Sequence, residues 1–250
     1  MAIKGILFDL YGTLIDIETD ESLEEIYRGI AHYLTYQGVY LHRWEVRDRY
    51  YQIMKQQKEE GGEEYPEIDV EAIWNTFLEQ EGIKAAPARR DLARILAQIY
   101  RGISRKRLQL YPEVKRVLDD LQPHYRMALL SDAQPGYALP EITAVGLDGY
   151  FDPIILSAYY GFRKPDARLF SKSLDILKLT PAEVIYVGND MYRDIYGARR
   201  LGIQTLFVDS NQGAKSHENV TPDYIAPRFE DVLKGVEEIK RSLHWKQESE

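Results

Sequence analysis

The chain has 250 residues, a formal net charge of −8, 44% hydrophobic and 29% charged residues, and no cysteine. This length suits one large domain or a domain with a smaller companion, and the missing cysteines exclude disulfides and thiolate metal sites. The acidic balance argues against nucleic acid as the main partner, no apolar run approaches the ~20 residues of a membrane span, and a first strand that begins almost at the N-terminus leaves no room for a signal peptide, so a cytoplasmic protein is expected.

The run Ile6-Leu7-Phe8 is apolar on both faces and ends at Asp9 and a Gly12-Thr13 turn, the pattern of a strand buried on both sides of a parallel sheet. Such sheets bind ligands beyond the carboxyl ends of their strands, so Asp9 stands at the ligand edge. An ionised aspartate there needs a cation, a lysine or backbone N–H groups to offset its burial. From 22 to 36, Leu23, Ile26, Ile30, Tyr33 and Leu34 recur at helical spacing, with Asp20 or Ser22 as the cap. Helical patterns follow at 43–58, 70–80 and 89–103, and the acidic, glycine-bearing stretch 59–69 reads as an exposed loop. No strand is legible between 16 and 105. That stretch is too long for a loop and reads as an all-helical subdomain over the end of the first strand.

From Leu110 the pattern becomes α/β. Pro112 suits the first turn of a helix carrying Val114, Val117, Leu118 and Leu121. Further strands are expected at 126–130, 151–156, 183–187 and 204–208, with a short edge strand at Tyr224–Ala226. A helix bearing Leu169, Phe170, Leu174 and Leu177 lies between the third and fourth strands, and a closing helix spans 229–243 before a frayed polar tail at 246–250. Strands alternating with helices predict a doubly wound parallel sheet, and no G-x-G-x-x-G follows the first strand to mark a dinucleotide site.

Each strand ends in a polar residue suited to one site: Asp9 and Thr13, then Ser131, then Lys164 after the third strand, then Asp190 with Asp194. Singly, each has an ordinary reading as a turn cap, an exposed lysine or an acid favoured by a helix dipole. Together they make a chemistry. A carboxylate can attack phosphorus or an activated carbon. Asp9 and Asp190 offer hard oxygen ligands for Mg²⁺. Lys164 would offset negative charge, with Thr13 and Ser131 holding phosphate oxygens.

This ordered set, Asp9-Leu10-Tyr11-Gly12-Thr13-Leu14, Ser131, Lys164-Pro165-Asp166 and Gly188-Asn189-Asp190-Met191-Tyr192-Arg193-Asp194, resembles the haloacid dehalogenase-like hydrolase superfamily over nearly the whole chain. The resemblance implies a Rossmann-like core, residues 1–15 plus 106–250, with 16–105 as a helical cap that sets substrate selectivity. It implies Asp9 as nucleophile, Thr13 and Ser131 binding the transferred group, Lys164 stabilising it, and Mg²⁺ held by Asp9, the Tyr11 carbonyl and Asp190. Asp194 and Asn189 would support the loop. One position departs from the phosphatase pattern. The acid/base aspartate expected two residues after the nucleophile is Tyr11, a poor base near neutrality with an ordinary pKa of about 10. Tyrosine there is similar to the metal-free 2-haloacid dehalogenases, whereas Asp190 beside Asp194 favours metal-dependent phosphatases. The expectation is therefore a Mg²⁺-dependent phosphohydrolase of a small phosphorylated metabolite, acting as a monomer or homodimer, with a dehalogenase as runner-up and a binding-only member third. A dehalogenase would also need a cap arginine for the substrate carboxylate, for which Arg43, Arg47 and Arg49 are candidates; Arg47 and Tyr11 are taken as pocket residues.

Overall fold

A computed structural model describes residues 2–248. Strand β1 (Gly5–Phe8) leads into β2 (Ile15–Thr19), then helices α1 (Glu24–Tyr36), α2 (Arg43–Glu60), α3 (Val70–Gln80) and α4 (Ala86–Ser104). Strand β3 (Arg105–Leu110) brings the chain back to α5 (Val114–Leu121), β4 (Arg126–Ser131), α6 (Pro135–Ala144) and β5 (Ile154–Leu156). The remainder is α7 (Ala167–Leu177), β6 (Val184–Gly188), a π-helical turn (Met191–Tyr196), α8 (Gly197–Arg199), β7 (Gln204–Val208), β8 (Tyr224–Ala226) and α9 (Val232–Glu248). Among the described residues no helix is long and apolar enough to cross a membrane.

Six parallel strands form one sheet in the order β5-β4-β1-β6-β7-β8. The α/β, Rossmann-like core is as expected. The chain steps outward from β1 through β4 to β5, then crosses to β6 and runs the other way. Strand β1 is thus the switch point, where a crevice opens beyond the carboxyl ends. Side-chain alternation decides what each face of β1 meets: Ile6 and Phe8 pack with Val117 and Val236 from α5 and α9, while Leu7 packs with Leu169 and Phe170 of α7. Each such fully buried apolar side chain contributes roughly 1.5–3 kcal/mol. The four helices α1–α4 close around a separate cluster that includes Ile30, Tyr50, Trp74, Phe77 and Leu96.

Three local expectations change. The stretch 16–105 is not entered and left by helix alone: β2 and β3 pair antiparallel, Ile15 opposite Leu110 through Thr19 opposite Arg105. Arg107 of β3 bonds Asp16 at 3.0 Å and Glu18 at 2.8 Å, a cross-strand charge pairing beside the short alternations Ile15/Ile17 and Leu108/Leu110, which pack with the sheet core. Pro112 precedes the cap rather than starting the helix, because Glu113 takes the cap position with φ 67° and α5 begins at Val114. The last helix continues through Glu248, past the expected fray; Ser249 and Glu250 of that tail lie outside the described residues.

The acidic loop after α2 is not a free loop. Tyr65 O accepts from Arg163 N and Glu67 N donates to Gly161 O, both at 3.0 Å, around a Pro66–Phe162 bridge. Glu67 also accepts from Ser157 Oγ at 2.6 Å, and Gln134 bonds Val70 N at 3.1 Å and Ile68 O at 2.7 Å. These bonds seat the helical half against the sheet edge and roof the crevice at the end of β1.

Candidate active site

Asp9 follows β1 directly and is 5% exposed. Its backbone N–H still pairs with Val187 O at 2.9 Å, which fixes it at the sheet edge. The chain then turns tightly, with Gly12 N–H donating to Ile15 O at 2.8 Å. Gly12 has φ 88°, and a Cβ there would lie 2.3 Å from the Asn189 side chain, so geometry and space both require glycine. The turn presents Thr13, whose Oγ1 is 3.1 Å from Asp9 Oδ2 and 3.0 Å from Asn189 Oδ1.

Lys164 enters from the segment after β5 and is 3% exposed. Its Nζ donates towards Asp9 Oδ1 at 2.7 Å, Asp194 Oδ1 at 2.6 Å, Tyr186 OH at 3.1 Å and Leu130 O at 3.3 Å. Burial alone would depress this ammonium, but Asp194 and Asp9 outweigh it and hold the charge on well above the ordinary lysine range. Burial likewise raises the Asp9 carboxyl, opposed by Lys164. Asp194 is fully used: its Oδ2 accepts from Asn189 N at 3.1 Å and Asp190 N at 3.0 Å, tying the loop after β6 to the lysine. A Cβ at Gly188 would meet that carboxylate at 2.5 Å. Asp9, Thr13, Lys164, Asn189 and Asp194 therefore form one buried hydrogen-bonded unit, and Ser131 closes β4 beside them at 1% exposed.

Asp190 behaves differently. Its Oδ1 caps the π-helical turn by accepting from Tyr192 N at 3.0 Å and Arg193 N at 2.8 Å. Its Oδ2 accepts from Arg193 Nε at 3.0 Å, Arg193 Nη2 at 2.9 Å and Ala214 N at 3.1 Å. Burial would raise this carboxyl, yet the backbone N–H and charge of Arg193 hold it low. With five donors on two oxygens, Asp190 has no lone pair turned to a cation. No group of three or more His, Cys, Asp or Glu side chains among the described residues is arranged to hold a metal. The ligand set read from the sequence does not fit this arrangement, because Arg193 and three backbone N–H groups already engage both Asp190 oxygens.

Tyr11 is also committed. Its hydroxyl donates to Glu141 Oε2, and Glu141, 1% exposed, is clamped by Arg101 at 2.8 and 3.0 Å and by Arg105 at 2.9 Å. Burial and the Glu141 charge push the phenol well above its usual range, so Tyr11 is a neutral donor that accepts no proton. The carboxylate that sequence reasoning passed over is Asp132, next to Ser131. Its Oδ1 accepts from Lys164 N at 2.9 Å, while its buried Oδ2 has no hydrogen-bond partner and lies 4.0 Å from Arg193 Nη1. Burial pushes its carboxyl up to about 6.

A cavity of about 590 Å³ reaches the edge of this unit at Asn189 and Asp132, while Lys164 and Asp190 line an adjoining space of about 300 Å³. Tyr11, Asp132, Asn189 and Arg193 line the larger cavity from the sheet edge; Tyr50, Tyr51, Met54 and Lys58 of α2 and Tyr100 of α4 line it from the helices. Arg47 is not in that wall. It pairs with Asp48 at 2.7 Å and lies 4.7 Å from the Trp44 ring on the outer face, and Arg43 and Arg49 are likewise turned to Glu24 and Glu81. Position in sequence could have flagged Asp132, as the residue after a strand end, and Arg193, three residues past Asp190 at a helix start. Glu141 and Arg101 had no local signal, being 40 residues apart and joined only in the fold.

The haloacid dehalogenase-like hydrolase family profile matches residues 6–208. A phosphoserine phosphatase of Thermus thermophilus is 32% identical over 140 residues, 56% of this chain and 54% of that protein, so the match spans about half of that relative's length. An (S)-2-haloacid dehalogenase of Xanthobacter autotrophicus is 26% identical over 207 residues, 82% of this chain and 75% of the relative. In fold, a solved 2-haloacid dehalogenase from Pseudomonas syringae pv. tomato DC3000 superposes with a TM-score of 0.69 at 19% identity, covering 94% of this chain and 98% of that one. With its profile match over most of its length and a parallel sheet carrying Asp9 at the switch point, this chain belongs to the haloacid dehalogenase-like hydrolase family.

Proposed function

We propose that the protein is a phosphohydrolase of small phosphorylated molecules that works through a covalent aspartyl intermediate. The observation that carries this reading is the Asp9–Lys164 pair, a buried carboxylate 2.7 Å from a buried ammonium at the switch point of the sheet, with Lys164 lining a space of about 300 Å³ that adjoins the larger cavity. Asp9 attacks phosphorus, the bond from phosphorus to the ester oxygen breaks, and the leaving oxygen takes a proton from Asp132. Water then returns a proton to Asp132 as it attacks the phosphoaspartate, releasing phosphate and restoring Asp9. Thr13 and Ser131 hold the transferred oxygens and Lys164 offsets their charge. Residues 16–105, with α1–α4, act as the cap that admits substrate. The Mg²⁺ set of Asp9, the Tyr11 carbonyl and Asp190 does not fit, since Arg193 and three backbone N–H groups saturate Asp190. Asp9→Asn should abolish hydrolysis of p-nitrophenyl phosphate; an unchanged rate would exclude the nucleophile assignment.

A second reading, displacement of halide from carbon, is favoured by one observation: the phenol of Tyr11 is spent on Glu141 and cannot shuttle protons. Halide leaves without a proton, so that chemistry needs only Asp9, followed by hydrolysis of the ester. Chloride release from 2-chloropropionate, without phosphate release from the aryl ester, would select it.

A further inference from the structure

The floor of the cavity is charge-matched, but its mouth is not. Lys58, in the last turn of α2, and Arg163, one residue before the active-site lysine, both line the 590 Å³ cavity and an adjoining space of about 300 Å³. Neither side chain makes a hydrogen bond or ion pair. The other cations of the large cavity are taken: Arg101 by Glu141 and Arg193 by Asp190. Of the acids at this mouth, Glu67 is occupied, accepting from Ser157 Oγ at 2.6 Å and from Ile68 N at 2.9 Å, and Glu64 lines the smaller space as an exposed side chain that pairs with neither cation. The backbone fixes where the two cations meet. Arg163 N–H donates to Tyr65 O at 3.0 Å across the Pro66–Phe162 bridge, and Pro66 lines both spaces with Lys58.

We infer that Lys58 and Arg163 form a second anion subsite, so that the substrate carries two anionic groups: the phosphoryl group at Asp9 and a carboxylate or second phosphate at the mouth. The inference rests on the phosphohydrolase reading for the first group. Lys164, whose Nζ is 2.7 Å from Asp9, lines the same 300 Å³ space as Lys58 and Arg163, so a ligand that joins the two anionic positions is small. Because one cation comes from the helical half and the other from the sheet half, such a ligand also spans both.

The test is equilibrium binding, by calorimetry, of unreactive phosphonates to the whole protein. Alkylphosphonates of two to four carbons are compared with the matching ω-phosphonocarboxylates and with bisphosphonates of the same length. The subsite predicts that one length with a second anion binds about tenfold or more tightly than the plain alkylphosphonate. That preference should fall to near unity in Lys58→Gln/Arg163→Gln and persist largely in Arg163→Lys. Both side chains are exposed and unpaired, so these variants keep the fold. The carboxylate and bisphosphonate arms tell which anion is preferred. Equal binding of plain and doubly anionic ligands, or a preference that survives the double substitution, overturns the subsite while leaving the phosphohydrolase reading intact. Binding of no phosphonate at all overturns both.

Discussion

The floor of the cavity and its helical wall are built on opposite principles. On the floor the charges are matched at all but one oxygen of Asp132: Lys164 serves Asp9 and Asp194, Asp194 serves the loop after β6, and Arg193 serves Asp190. The wall carries tyrosines and the unpaired cation Lys58, which faces the unpaired Arg163 of the sheet half across the mouth, both exposed to solvent. Burial explains the contrast. A charge on the floor would cost several kcal/mol if left alone, whereas one at the mouth remains hydrated until a ligand replaces the water. The floor is therefore suited to one fixed chemistry, and the wall to choosing what reaches it.

That contrast can be broken at the floor first. Asp9→Asn should lower turnover by roughly 10³-fold or more. Lys164→Met should cost about 3–5 kcal/mol in denaturant unfolding, because it leaves Asp9 and Asp194 buried without their cation; a stable Lys164→Met protein would show that the floor is not charge-locked.

Asp132 sharpens the comparison, being the floor carboxylate that lacks a partner for one oxygen. Its folded pKa of about 6 lies above the unfolded value near 3.9, so the folded state binds this proton more tightly. The stability it contributes is present below about pH 4 and lost as pH rises through about 6. Asp132→Asn should therefore raise stability at pH 8 by roughly 1–3 kcal/mol and have little effect near pH 4, read from urea midpoints at both pH values. The same variant should lose about 10²-fold in rate on alkyl phosphates and much less on p-nitrophenyl phosphate, whose leaving group needs no acid. Equal losses on both esters would remove Asp132 from proton transfer.

The smaller effects lie away from the reacting atoms. Tyr11→Phe removes one of several donors to Glu141 and should cost about 1 kcal/mol of stability with little change in rate. Arg47→Ala, on the outer face of α2, should change neither by more than about 0.5 kcal/mol equivalent.

Much of this was legible in the residues. Each buried strand announces itself by an apolar run, and a polar residue at its end falls at the ligand edge by topology alone, which is why Asp9, Thr13, Ser131, Lys164 and Asp194 come together. What sequence could not decide is where a side chain turns once there. Asp190 can face the crevice or cap its own helix, and only the fold shows Arg193 and Ala214 closing on it. Arg47 and Lys58 sit on the same helix, whose polar composition gives no apolar face to say which side meets the sheet; the packing of Val46, Tyr50 and Ile53 decides it. The β2–β3 ribbon joins residues some 90 positions apart through charge pairs, and a local pattern carries no such information.

The central claim is that Asp9 becomes covalently phosphorylated. Rapid acid quench of turnover with p-nitrophenyl phosphate, followed by peptide mass analysis, tests it most directly. The account predicts that the peptide containing Asp9 gains the mass of one phosphoryl group and that the adduct disappears in Asp9→Asn together with turnover. Phosphate release that continues in Asp9→Asn, or an adduct on another residue, would contradict it.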